Sequence, residues 1–407
     1  MTTGGYGYWI FPLLALVVVV PVAAAATWQL WVLTAIPIGF LFGFFLQKGD
    51  LCGASAFSEV LLARDRSKVF GLWVAIVTAM CGFAVLDVAG LVTLNPKPLI
   101  YVNYLIGGVL FGTGMVLAGG CVSGCLYKAG TGNLNSIAAL LSMPVGIALV
   151  EYGPLHGWHT GSKAIRLANP DGSSLTLASL TGLPFWSIAA LLAAATIAIV
   201  AVRRSRRGTP KASQPGRPQS AWLFRSWRPW QAGLAIGLLS ALAYLSSASS
   251  GRNYPLGVTH GVLHAELLLV EDNLNHVYQK TPKAVQPAPP APAGGAPAKP
   301  AGKKVVWWLV ALILSLMAGS FSSGRLSGQA RLLPKPPGQI LWAILGGLLV
   351  GSGAAIATGC VIGNILSGWA LMSVGGILFG VVVVLVNWLT TWLYLMGADR
   401  SAWSAGS

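Results

Sequence analysis

Seven stretches of the sequence, residues 9–26, 31–46, 69–94, 104–118, 184–202, 340–357 and 374–396, are almost purely apolar. Such runs are long enough to cross a hydrocarbon core of about 30 Å as helices. With weaker segments counted, the sequence predicts roughly nine to eleven spans. The chain has 407 residues, of which 55% are hydrophobic and 9% charged; soluble domains carry about 25% charged residues. The expected class is therefore an all-α polytopic membrane protein. No Lys or Arg precedes the first apolar run and the first basic residue is Lys48, so that run is expected to stay as a span and not to be cleaved. The net charge of +16 sits mostly between the spans, the pattern of positive-inside topology, and gives no reason to expect a nucleic-acid partner.

Between the spans lie glycine-rich breaks that repeat. Gly39, Gly43 and Cys52 have the spacing G-x3-G-x8-C, which recurs at Gly108, Gly112 and Cys121 and again at Gly347, Gly351 and Cys360. A fourth match, Gly233, Gly237 and Ser246, places a hydroxyl where the others have a thiol, and residues 319–328, GSFSSGRLSG, are expected to form a further re-entrant element. Close helix packing accounts for the glycine pairs but does not call for a cysteine nine residues on. Irregular backbone at membrane depth is tolerated where it is buried in protein or lines a cavity. The repeat therefore favours a transport path built from re-entrant hairpins and internal repeats.

The remaining organisation follows from composition. A membrane half over 1–202 carries the Cys52 and Cys121 motifs, and residues 203–228 form a basic, solvated loop whose Trp222 and Trp227, with Trp230 beyond it, suit headgroup level. Residues 229–281 hold the cysteine-less repeat, with 261–270 as a half-span or amphipathic segment; 282–302 is an extended Pro/Ala linker; and 303–407 carries the Cys360 motif. Loop charge favours both the basic loop and the linker as cytoplasmic, while Arg325, Arg331 and Lys335 fit this less easily. His156 and His159 have no third ligand nearby and are not read as a metal site. Asp87, the one acid plainly within a span, is either a proton site or close to the membrane surface.

A half-helix starting at such a break directs free NH groups and the positive end of its dipole at the cavity, an arrangement suited to anions. Lys128 adds a full charge, at roughly 2.5 to 3.5 kcal/mol if it stands at the bilayer centre, so it implies an anion or a place near the interface. Neutral thiols are weak, soft donors that do not repel an anion. Several in series would hold a sulfur-bearing anion loosely enough for it to leave each site. A heavy-metal path would need His, Met or acidic partners that the breaks lack. Five cysteines, mostly in breaks, do not make a disulfide framework, and Cys81 is read as a small buried hydrophobe.

The motifs GDLCGAS followed by SEVLLARD, GGCVSGCLYKAGTGN, and ATGCVIGN together resemble the YeeE/YedE family of bacterial inner-membrane sulfur transporters, whose characterised members take up thiosulfate. The resemblance implies an hourglass-like helical body and passage of thiosulfate by hydrogen bonds to Cys52, Cys121 and Cys360. Lys128, Gly120, Gly132, Asn133, Gly359 and Asn364 are the flanking support. It also implies a small cytoplasmic sulfur-carrier partner similar to TusA. No cofactor, metal or catalytic residue is expected. The basic loop, the linker and Cys125 depart from a compact member. Another sulfur or selenium species is the alternative substrate; a thiol-disulfide oxidoreductase using Cys121 and Cys125, or a membrane scaffold, are the readings from other classes.

Overall fold

The computed structural model describes residues 7–206, 225–278, 303–332 and 336–396. Most of the basic loop, with Trp222, and all of the 282–302 linker, with Lys335, lie outside the described residues. Nine helical stretches among the described residues are long and apolar enough to cross a membrane. The only strands described are the parallel pair Leu274–Val277 and Lys303–Val306.

The body is four copies of one unit: a lead helix, a break, a half-helix and a return helix. The lead helices are Ala35–Gly49, Tyr101–Leu117, Pro229–Ser249 and Pro337–Ile356. The half-helices are Gly53–Leu62, Val122–Gly130, Thr259–Val270, and the π turn Val361–Leu366 running into Ser367–Ala370. At 1.5 Å per residue, a nine-residue half-helix covers only about 14 Å, half the bilayer core. The return helices are Ser67–Val88, Leu134–Glu151, Trp307–Leu326 and Val374–Thr391. Two of them are started by side-chain caps, Asn133 accepting from Ser136 N and Ser373 from Gly376 N. Phe185–Arg206 lies outside the units and its apolar span faces lipid, with 11% of it buried.

The G-x3-G pairs join the units. Gly39 and Gly43 seat the first lead helix on Leu312 and Leu316 of the third return helix, and Gly233 and Gly237 seat the third lead helix on Gly71 and Ala75 of the first return helix. Gly108 and Gly112 meet Val382 and Val386, while Gly347 and Gly351 meet Ala139 and Met143. The second and fourth lead helices also meet each other reciprocally: a Cβ on Gly107 would stand 2.7 Å from the Gly353 carbonyl oxygen, and one on Gly353 2.7 Å from that of Gly107. Gly114 and Gly346 repeat this at 2.8 Å each way. Contacts that exchange in this way define a pseudo-two-fold relation, and the crossing order (107 with 353, 114 with 346) makes the two leads antiparallel. The body is thus two pairs of inverted repeats.

Three expectations change here. Ser246 is inside its lead helix, bonded to Thr34 and to Trp308 Nε1. The break of the third unit comes later, at 250–258, with Gly251 and Asn253 at positive φ. Residues 319–326 continue the third return helix, so no re-entrant element forms there. The third change concerns the two faces of the body. One is marked by Lys48, whose carbonyl accepts from Trp227 N and whose ammonium donates to Ser327, and by Gln329 bonded to Ser226. Arg64, Arg66, Lys68, Arg225, Arg228, Arg325 and Arg331 belong to this face. This is the face on which the positive-inside rule expects the cytoplasm, and Arg325 and Arg331 share it with the basic residues flanking the loop. The residues flanking the linker are on the opposite face, with Lys303 paired to Glu271 and stacked over Tyr152.

Candidate functional site

The three cysteine breaks share one backbone form. A residue at positive φ ends each lead helix: Asp50 at 45°, Gly119 at 66° and Thr358 at 53°. Two residues later the cysteine stands in extended conformation as the N-cap of the half-helix, and no side chain caps the amides that follow. Glycine adopts this left-handed turn freely, but β-branched Thr358 does not; such strain costs roughly 1 to 3 kcal/mol and persists where the surroundings hold it. A lysine does so here. Lys97 Nζ donates to the Thr358 carbonyl and, at 2.8 Å, to Asn364 Oδ1. The equivalent carbonyl of Gly119 accepts from Lys128 Nζ at 2.8 Å. At the first break Lys68 bridges Asp50 and Glu59, and Asp50 accepts from Tyr127 Oη at 2.7 Å.

Cys52, Cys121 and Cys360 are at most 1% exposed, and all five cysteines are free. The sulfurs of Cys52 and Cys121 both lie against Gly124. Gly124 makes the room, since a Cβ there would stand 2.3 Å from Cys52 Sγ and 3.6 Å from Cys121 Sγ. Cys121 Sγ also meets Ser123 Oγ at 3.4 Å. Val361 closes against Gly53, leaving a void of about 10 Å³ beside Cys52, barely the space of one water. Cys125 is buried with its Sγ against Gly120 and is not linked to Cys121 by a disulfide.

The flanking residues divide by position. Asn364, fully buried, ties the fourth break by donating to the carbonyls of Ala357 and Gly359. A Cβ on Gly359 would strike Lys97 Nζ at 2.6 Å. Gly132, at φ 95°, and Asn133 lie instead at the far end of their half-helix, where Gly132 packs on Arg331 and Asn133 caps the return helix. Lys128, half-buried, lines a cavity of about 290 Å³ with Gly119, Asn133, Gln339 and Trp342.

Lys97, Arg252 and Tyr254 were not singled out from sequence. The signal for Lys97 was present: a lone cation between two prolines in a chain poor in charge. Burial pushes the Lys97 ammonium down to about 7, with Cys360 opposing and Arg252 adding to the shift. Burial likewise pushes Arg252 down to about 10. Asp87 is exposed in the last turn of its helix, the surface position and not a buried proton site. His159 is buried beside Asn103 and Glu151, and no group of three metal donors occurs among the described residues.

Broken helices in inverted pairs, with irregular backbone lined by cations and thiols at the centre, define a membrane transporter. Residues 48–389 match the sulphur-transport family model, and the chain belongs to that family. It is 31% identical over 371 residues to the thiosulfate transporter TsuA of Spirochaeta thermophila, covering 88% of this chain and 98% of that protein. It is 28% identical over 374 residues to the thiosulfate transporter TsuA of Escherichia coli, covering 91% and 97%. The probable transporter YedE of Escherichia coli matches at 28% over 121 residues, 29% of each chain. The protein is a multi-pass membrane transporter and not an enzyme.

Proposed function

We propose that the protein takes up thiosulfate across the bacterial inner membrane, passing the ion along the thiols of Cys52, Cys121 and Cys360 toward the cytoplasmic face. The observation that carries this reading is the convergence of three identically built breaks, each ending in a buried free thiol with a lysine on the break itself. Near-complete coverage of two thiosulfate transporters supports the substrate.

In this mechanism cations and helix dipoles make the interior favourable for a dianion, and the thiols donate weak hydrogen bonds that are exchanged one for the next. Asn364 and Gly359 set the shape of the Cys360 break. Lys128 and Gly120 do so for Cys121, and Gly132 and Asn133 act through the placement of the half-helix. The packing at Cys52 requires Val361 and Gly53 to part during transport. On the cytoplasmic side a small carrier protein resembling TusA receives the ion or its sulfur.

Thiosulfate uptake into proteoliposomes tests this reading. Cys52→Ala, Cys121→Ala and Cys360→Ala should each lower the rate at least about tenfold, the scale of one or more lost charge-assisted hydrogen bonds. Cys81→Ala and Cys125→Ala should stay within about twofold, the scale of an uninvolved site. Unimpaired uptake by all three relay variants would sink the relay.

A further inference from the structure

The third unit has the lead helix, break and half-helix of the others but no cysteine. Its break carries Arg252. Nη1 of this side chain donates to Ser247 Oγ, to the Tyr254 carbonyl and to the Pro255 carbonyl at 3.4, 3.2 and 2.9 Å. The guanidinium is stacked 4.9 Å from the Trp308 ring and 5.7 Å from that of Tyr254. These contacts fix the fork but leave its charge unneutralised, because Arg252 makes no salt bridge among the described residues. A cation withdrawn from water is costly without a counter-charge.

Arg252 lines a cavity of about 220 Å³ together with His260, His264, Tyr278 and Trp308. The cavity opens on the face of Glu151 and Lys303, opposite the cavity at Lys128. His260 is engaged with Glu151 at 3.6 Å, and His264 Nδ1 accepts from Val306 N. Among the described residues, the arginine therefore has the one uncompensated charge of this lining. From it a continuous contact leads inward: Tyr254 Oη donates to the Gly363 carbonyl, and Lys97 also lies over that tyrosine, 5.1 Å from the ring. Lys97 in turn holds the Cys360 break.

We propose that the break of the third unit is a capture site for small divalent oxoanions, with Arg252 as its binding residue and Tyr254 and Lys97 as the link to Cys360. The planar fork of an arginine suits two oxygens of a tetrahedral anion. The third unit thus differs from its three relatives in offering an uncompensated guanidinium where they offer a thiol: the charge attracts a hydrated ion at entry, and the weaker thiol donors let it move on during passage. The inference rests on the transport reading above.

Initial rates of thiosulfate uptake by proteoliposomes of the full-length chain, measured over a range of concentrations, provide the test. Arg252→Gln should raise KM by on the order of tenfold or more with Vmax within about twofold, as expected for loss of a charge-assisted contact made on binding. Arg252→Lys, which keeps the charge and loses the fork, should fall between the two. If Arg252→Gln fails to give a folded protein by size exclusion and thermal unfolding, Arg252→Lys decides: a KM raised severalfold supports the site. A KM unchanged in whichever folded variant is measured overturns it. No uptake by the unaltered protein would instead reject the transport reading, a result separate from either.

Discussion

At the scale of single residues, Lys97 shows how one buried charge links structure to transport. Its ammonium supports a strained turn at Thr358 and faces the Cys360 break, and burial sets its titration near 7. The charged form is present below that value and lost above it, while thiosulfate stays a dianion throughout the range. Affinity for thiosulfate should therefore rise as pH falls through about 7, by up to tenfold per unit for a single coupled proton. Lys97→Gln should remove the dependence and leave KM high at every pH; uptake measured from pH 6 to 8 on both proteins checks this, and an equal pH dependence in the variant would refute it. The thiols were legible in the sequence because a spacing repeated around them. Lys97 stood out only as a cation between two prolines; its place at the Cys360 break was not legible, because its partners Thr358 and Asn364 are 261 and 267 residues away.

At the scale of elements, the glycine pairs are contact surfaces, and their geometry makes their replacement costly. A Cβ on Gly351 would stand 2.1 Å from the Met143 carbonyl oxygen, so Gly351→Ala must force the fourth lead helix off the second return helix. The cost should be about 1 to 3 kcal/mol, seen as a lower thermal unfolding temperature in detergent together with reduced uptake. Gly157→Ala, in the peripheral helix His156–Ala164 and with nothing within 4 Å, should be neutral or slightly stabilising. The spacing that identified four units was right about the packing in all four and misleading about the break in the third. G-x3-G is demanded by helix approach, whereas the break is placed by whichever residues take positive φ, here Gly251 and Asn253 beyond Ser246.

At the scale of the whole molecule, inverted pairing places a cavity on each face, the Arg252 cavity opposite the Lys128 cavity, with the thiols between. It also fixes which loops share a side. In a Cys81→Ser background, a cysteine at exposed Asp272 should react with a membrane-impermeant maleimide on intact cells whose outer membrane admits the reagent. One at exposed Ser226 should react only after the inner membrane is opened; the reverse pattern would invert the assigned orientation. The sequence by itself determined the class, because runs of apolar residues at span length have no other stable state than helices in lipid. It also placed Cys52, Cys121 and Cys360 in glycine-rich breaks, since that spacing is local and repeated. Only the tertiary structure decided that the repeats are inverted in pairs, that Arg325 and Arg331 share a face with Lys48, and that Lys97 and Arg252 converge on the Cys360 side. These depend on reciprocal contacts such as Gly107 with Gly353, and close approach of two helices is a property of both surfaces together, which neither stretch of sequence carries alone.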